Sequence, residues 1–302
     1  MYKINKGGVK MMEKIINDYI SYLNDIKHLS PKSIKSYIPA VKEMFEYCEF
    51  KSLDNIENSD VIVLQGWLNK KKKEGLSSQS INRRIASCKS FYSFLVAKRY
   101  ISFNASKELK ALKIESKGKS ADISQINKIR NYVKNEYNNK KSFNNLRNIL
   151  IVEVLLQSAV RNAELRQLNI DSIKEDGSFT VVQKGGNKKD CCINSKAMEI
   201  YNKYIEERNK IKAKDDALFI SSYKTRISSK GLEKIIDKIT TATGKRLKVH
   251  DIRHTSLTAY VNAGYSLTEV AKLAGHSNSS TTYKFYYHQD NNDKKSMAES
   301  VF

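Results

Sequence analysis

Proline is nearly missing from this chain: there are two in 302 residues, beside only 12 glycines. So few chain breakers exclude a collagen-like or loop-rich polypeptide and favour helix. Cysteine is scarce as well. Cys48, Cys88, Cys191 and Cys192 make no C-x-x-C pair and have no histidine at metal-ligand spacing. An adjacent pair rarely closes a structural disulfide, so reduced thiols in a cytoplasmic protein are expected. No apolar run reaches the roughly 18 residues of a membrane span. The best one, Ile149 to Leu156, is interrupted by Glu153. The N-terminus, MYKINKGGVKMMEK, has basic residues without an apolar stretch, so no secretory signal is read there. Acids are the last shortage: 32 stand against 54 lysines and arginines, a formal charge of +22.

What is present follows from that imbalance. Hydrophobic residues make up 40%, enough for real cores, and the length suits two domains. Up to Gly118 there are 22 basic and 12 acidic residues, and beyond it 32 and 20. Both halves are therefore basic, which suits two domains that meet one long polyanion, nucleic acid above all.

Residues 11–106 read as an all-helical domain. Met11 or Met12 serves as a start, which leaves residues 1–10 as a leader. Ile15, Ile16, Tyr19, Ile20 and Leu23 lie at helical spacing. Ser30-Pro31 opens a second helix as cap and first residue, with Ile34, Tyr37, Val41, Met44, Phe45 and Cys48 along its stripe. Asp60 to Lys73 forms a third, stopped by Gly75. A fourth, capped by Ser78, buries Ile81, Ile85, Cys88, Phe91 or Tyr92, and Leu95. Its other side carries Ser80, Arg83, Arg84 and Ser87, the hydroxyls and cations of a helix that touches phosphates.

Residues 107–119 (KELKALKIESKGK) read as a hydrophilic linker. Residues 120–290 read as a mixed domain. Helices are expected at Ile123 to Tyr137, Phe143 to Gln167, Lys196 to Ala213, Gly231 to Ala242 and His254 to Ala263. Short strands are expected at Ile170 to Ile173, Phe179 to Gln183 and Cys191 to Ile193, around an Asp176-Gly177 turn. Ser266-Leu267-Thr268-Glu269 is a capping box for a last helix that Gly275 ends. The fold class is mainly α with a small β-sheet.

Four segments concentrate groups suited to a phosphodiester. Arg161 sits in an apolar stretch with Glu164 three residues on, placed to hold it. Gln183-Lys184-Gly185-Gly186-Asn187-Lys188-Lys189 reads as a glycine-rich turn between two strands, a basic hairpin that could swing a lysine toward a backbone. His250 and Arg253 lie three apart, on one helical face. His276 follows Leu273-Ala274-Gly275, and Thr281-Thr282-Tyr283-Lys284-Phe285-Tyr286-Tyr287-His288 comes next.

Taken together and in this order, these motifs resemble those of the tyrosine recombinase (phage integrase) family over almost the whole chain. Arg161 in R-x-x-E-L matches the family's first arginine, and Lys184 the β-hairpin lysine. His250 and Arg253 match the H-x-x-R pair, and His276 in L-x-G-H-S the third-box histidine, 23 positions after Arg253. The nucleophile falls at Tyr286 when the spacing is read as T-T-x-x-x-Y-x-H. The shorter family spacing falls on Phe285, which leaves Tyr287 as an alternative nucleophile, or Phe285 as a replaced one.

The resemblance implies a SAM-like core-binding domain and a mixed α/β catalytic domain that together clamp duplex DNA. Tyr286 would attack a phosphodiester to give a 3′-phosphotyrosine, and Arg161, Arg253 and His276 would bind the non-bridging oxygens. Lys184 would protonate the leaving 5′ oxygen and His250 would assist proton transfer from the tyrosine. Two arginines would supply the charge of a metal, so neither cofactor nor metal is expected. The partners implied are double-stranded DNA with inverted-repeat core sites and three further copies of the chain, as a homo-tetramer on two DNA sites. The apolar tail, residues 291–302, would dock on a neighbouring protomer. With no room for an arm-binding domain, the pattern suits a simple Xer-like or transposon-type enzyme, cytoplasmic and nucleoid-associated. Its role would be integration or excision of a mobile element, or resolution of DNA. A type IB topoisomerase-like nicking-closing enzyme shares the chemistry, and a non-catalytic DNA-binding protein shares the scaffold.

Overall fold

A computed structural model describes residues 6–113, 123–183 and 185–275 of the chain. The polypeptide divides into two compact units, Met1–Glu115 and Ser116–Phe302. Among the described residues no helix is long and apolar enough to cross a membrane.

The first unit is helical throughout: α1 (Lys6–Ser21), a wide π turn (Tyr22–Ile26), α2 (Pro31–Tyr47), α3 (Leu53–Glu57), α4 (Val61–Lys73) and α5 (Ser78–Ala97). Helix α1 starts at Lys6, ahead of Met11. The caps do what their side chains allow. Ser30 accepts from the Ser33 N–H, with Pro31 preorganised behind it, and Asp60 accepts from Val63 N–H. Helix α5 is capped by Ser77, not Ser78, because its hydroxyl is the one that meets the Ser80 N–H. The buried faces converge on Tyr19, Trp67, Phe91, Tyr92 and Phe94, with Ile81, Ile85, Cys88 and Leu95 on the same side of α5. Tyr19 meets Phe91 edge-on at 5.1 Å between ring centres, and burying each such ring contributes roughly 1.5–3 kcal/mol.

The segment expected to begin a linker at Lys107 is instead part of this unit as far as Leu112. A 3-10 turn (Ala105–Glu108) leads to a buried Leu109, and Leu112 packs on the same core. Asn82 clamps it, donating to Leu112 O at 2.8 Å and accepting from Leu112 N at 2.7 Å.

The second unit comprises α6 (Ile123–Asn139), α7 (Phe143–Ser158), α8 (Asn162–Gln167), a hairpin of β1 (Ser178–Val182) and β2 (Lys188–Cys192), α9 (Ser195–Asn209), α10 (Ser229–Ala242), α11 (Val249–Asn262) and α12 (Leu267–Ala274). The strands are antiparallel, with Thr180 opposite Asp190. Helix α7 is the hub: Ile149 to Leu156 is buried on every side, Glu153 included, which is why the segment is apolar but for that one residue.

Three expectations change here. Residues 143–167 form two helices, because Ala159 adopts a left-handed conformation (φ 47°) that ends α7. Residues 170–173 form a turn and not a strand. Ile173 is buried in the core, and the Ile170 carbonyl takes the Tyr201 hydroxyl at 2.8 Å, so the apolar spacing is met without a ladder. The helix expected from His254 starts at Val249, which places His250 and Arg253 on α11 itself. The four cysteines are free thiols. Cys88 and Cys191 are buried, Cys48 is half-buried and Cys192 is exposed on β2.

Candidate active site

Arg161 does not interrupt a helix; it occupies the junction between two. Its φ and ψ are extended at the N-cap of α8, and the Glu164 carboxylate one turn later accepts both from its backbone and from its side chain. The Arg161 N–H donates to Glu164 Oε2 at 2.8 Å and its guanidinium to Oε1 at 2.7 Å. The Glu164 carboxylate is buried, whereas the Arg161 side chain keeps 38% of its surface. Burial alone would raise the Glu164 pKa. The Arg161 N–H and guanidinium, helped by the charge of Lys189, outweigh it and hold the carboxyl below its usual range. The ion pair anticipated from the i, i+3 spacing therefore exists, and it aims the arginine and leaves it accessible.

Arg253 approaches from α11 and is buried, with 2% of its surface exposed. One guanidinium nitrogen donates to the Ala159 carbonyl, and the other to Ala274 O at 2.5 Å. It thereby ties the broken end of α7 to the last residue of α12. Arg161 Nη2 reaches the next carbonyl, Gly275 O, at 3.5 Å. Two arginines 92 positions apart in sequence thus share the α7–α8 junction and the end of α12, immediately before His276.

The junction has a further structure of its own. The last carbonyls of an α-helix lack partners within it. In α7 each is taken by a side chain from another element. Ser256 donates to Leu156 O, Tyr260 to Gln157 O at 2.8 Å, Lys189 to Ser158 O at 2.8 Å, and Arg253 to Ala159 O. Two of the four donors are cations, the favourable sign at a helix C-terminus.

Lys189 was not singled out from the sequence. It lies on the inward face of β2, in phase with Cys191, and is 5% exposed. Burial pushes its pKa down to about 8, with the nearby Arg253 and Arg161 cations working in the same direction. The period-two burial of β2 is the signal that marks it. A lysine in phase with a buried cysteine faces the core.

His250 lies in the first turn of α11, and His254 one turn on. Their Nε2 atoms are 3.1 Å apart, with the rings edge-to-face at 4.5 Å. One of the two nitrogens must then be unprotonated. The His250 ring reaches solvent, yet the protein around it and the Arg253 cation lower its pKa below the ordinary imidazole value. His254, half-buried, is pushed down to about 4 by burial, His250 and Arg253. At neutral pH His250 is therefore uncharged and fit to accept a proton. Gln183, which precedes Lys184, donates from Nε2 to Gly275 O at 3.1 Å.

Lys184, His276 and Tyr286, with Phe285 and Tyr287, lie outside the described residues, as does the tail at 291–302. Among the described residues no three His, Cys, Asp or Glu side chains are grouped to hold a metal ion.

In the first unit the four α5 residues expected to face phosphate separate. Arg83 is exposed and Ser80 half-buried. Arg84 is held by a bidentate ion pair with Glu43, at 2.8 and 3.1 Å. Ser87 is not on the outer side at all. It is fully buried and donates to Arg83 O, because it is in phase with Phe91 and Phe94, one and two turns on, which face the core.

Comparison with known proteins gives the family and the fold. Residues 119–293 match the phage integrase family, and residues 16–99 match the phage integrase N-terminal SAM-like domain. The chain is 28% identical over 302 residues to tyrosine recombinase XerC of Caldanaerobacter subterraneus subsp. tengcongensis, covering 91% of this chain and 83% of that one. It is 25% identical over 279 residues to XerC of Escherichia coli O157:H7, covering 91% of each. Two solved structures share the fold with a TM-score of 0.76. One is the XerH site-specific recombinase bound to palindromic difH substrate in a post-cleavage complex, at 19% identity, covering 98% of this chain and 89% of that one. The other is the Tn1549 transposon integrase in complex with transposon right end DNA, at 16% identity, covering 95% and 99%.

Proposed function

The chain belongs to the phage integrase family of tyrosine recombinases, enzymes that cut and rejoin DNA, and on that premise we propose how its residues divide the work. Tyr286 attacks a backbone phosphorus, forming a 3′-phosphotyrosine while the bond to the 5′ oxygen breaks. The phenol proton passes to His250, and Lys184 gives a proton to the departing 5′ oxygen. Arg161 and Arg253, with His276, bind the non-bridging oxygens as charge gathers on them. A 5′-hydroxyl from a second duplex then attacks the phosphotyrosine, releases Tyr286 and reseals the strand.

The observation that carries this reading is the convergence of Arg161 and Arg253 on one helix junction, with a neutral His250 one turn away on α11. Fixed arginines stabilise a transition state because they need no reorganisation as it forms.

The substrate of this reading is duplex DNA with inverted-repeat core sites, gripped by both basic units. A λ integrase tetramer bound to a Holliday junction has the same fold, at a TM-score of 0.70 and 17% identity, covering 91% of this chain and 76% of that one. It supports a tetrameric assembly on DNA. In this reading four copies act on two sites, and residues 291–302 are the segment joining neighbours. The role is integration or excision of a mobile element, or resolution of DNA.

The test is covalent trapping. Duplexes selected by the full-length chain from a random library, nicked beside the cleavage position, let the freed fragment diffuse away. A protein–DNA adduct is expected that Tyr286→Phe abolishes and Tyr287→Phe retains. An adduct that survives in Tyr286→Phe overturns the nucleophile, and none in the unmodified chain overturns the enzyme reading of these residues.

A further inference from the structure

We propose that Gln183 is a positioning residue that latches the β1–β2 hairpin to the end of α12, and so sets where Lys184 stands. The inference rests on the reading of Lys184 as the acid for the leaving oxygen. Gln183 closes the hairpin with its backbone: its N–H donates to Asn187 O at 2.8 Å and its carbonyl accepts from Gly186 N at 3.1 Å. Its side chain leaves the hairpin altogether and donates from Nε2 to Gly275 O at 3.1 Å, the carbonyl that Arg161 also reaches.

The contact is built from both sides. Gly275 holds the left-handed cap of α12 at φ 60°, and a Cβ there would lie 2.1 Å from Gln183 Nε2 and 2.7 Å from Cδ. Only glycine lets the amide lie across that backbone. The hairpin tip has no such hold. Gly185 and Gly186, at φ 95° and 85°, would meet nothing within 4 Å if they carried a Cβ. The sequence neighbours of residue 184 are therefore an anchored Gln183 and an unpacked Gly185. One peptide bond joins residue 184 to Gln183, a span of about 3.8 Å between Cα atoms. A general acid must come within hydrogen-bond reach of the oxygen it protonates, and an error of about 1 Å costs on the order of 100-fold. Gln183 supplies that placement and, through the shared carbonyl, ties it to Arg161 and to the residue that precedes His276.

The readout separates placement of the acid from damage to the rest of the site. An oxygen leaving group, with a parent acid near water's pKa of about 15.7, needs a proton. A sulfur in the same bridging position leaves as a thiolate of pKa about 8.5 and needs none. Full-length protein would be trapped on selected nicked duplexes carrying either 5′-bridging oxygen or 5′-bridging sulfur. Gln183→Ala, and Gln183→Glu, which keeps the size but loses the donor, are expected to slow cleavage of the oxygen substrate about 10- to 100-fold. On the sulfur substrate both should return to within about 3-fold of the unmodified chain, with duplex affinity unchanged. Lys184→Ala should show the same pattern, more deeply, and Arg253→Lys should gain nothing from sulfur. If Lys184→Ala is rescued while Gln183→Ala is unaffected, or is slowed equally on both substrates, the latch is overturned and the role of Lys184 stands. If Lys184→Ala is not rescued, the leaving-group role falls and the latch falls with it.

Discussion

The two units bury different things. The first encloses Tyr19, Trp67, Phe91, Tyr92 and Phe94, and among its described residues the buried polar ones are the uncharged Ser59, Ser87 and Ser106. The second buries Arg147, Glu153, Glu164, Lys189, Arg208 and Arg253 beside its aliphatic core. Charge is costly to desolvate, so a unit that existed only to bind would have little reason to retain it there. Glu164, Lys189 and Arg253 gather at the α7–α8 junction beside Arg161, whereas Arg147, Glu153 and Arg208 are paired elsewhere in the unit, with Ile220 O, Arg130 and Ala217 O. The first unit is a scaffold whose cations remain at its surface, whereas the second spends folding energy on the geometry of a site.

That contrast can be broken most sharply at Arg253. Arg253→Ala is expected to lower covalent trapping by at least about 1,000-fold, and Arg253→Lys nearly as much, because a lysine cannot span Ala159 O and Ala274 O with one planar fork. A truncation in the first unit should act through stability. Phe91→Ala is expected to destabilise it by about 3–5 kcal/mol, seen as a lowered thermal midpoint and loss of duplex binding. Lys189→Met tests whether a buried cation of the second unit serves the site. It should reduce trapping roughly 10- to 100-fold while duplex affinity changes little.

Acidification should separate the units again. His254 has its pKa near 4 when folded, below the ordinary imidazole value, so the unfolded chain binds the extra proton more readily. Stability from this group is therefore present above about pH 6.5 and declines as pH falls from there toward 4. The melting temperature of the second unit should drop across that window, and His254→Gln should flatten the drop. Trapping should persist below the ordinary histidine range because the His250 pKa is also lowered. The smallest effect is expected on α5. Arg83→Ala should reduce the salt dependence of duplex binding by about one phosphate's worth, and Arg84→Ala by less, since Glu43 already holds that guanidinium.

Much of this was legible in the residues because the signals were local. Ser30-Pro31, Asp60 and the Ser266 to Glu269 box specify helix starts through bonds to their own backbone, and all three are present. The Arg161–Glu164 pair followed from spacing alone. The break at Ala159 did not, since Ser158-Ala159-Val160 carries no glycine, proline, asparagine or aspartate. Side chains from α11 and β2 impose it by binding the carbonyls that a longer helix would use itself. Lys189 escaped notice for a related reason. A lysine reads as exposed until its strand partner Cys191 shows which face is inward. Ser87 erred the other way, its hydroxyl suggesting a surface that its helical phase denies.

The four occupied carbonyls at the end of α7 also bear on which length changes this chain can tolerate. An inserted residue rotates everything beyond it by about 100° and advances it by about 1.5 Å. Insertion anywhere between the middle of α7 and Ala159 would present each donor with the wrong carbonyl, and Arg161 would swing away from the end of α12. Related sequences should therefore vary in length at exposed turns such as Ser222 to Lys224 while keeping this interval at constant length. Alignments of the family should show gaps there only where the arginines themselves are gone.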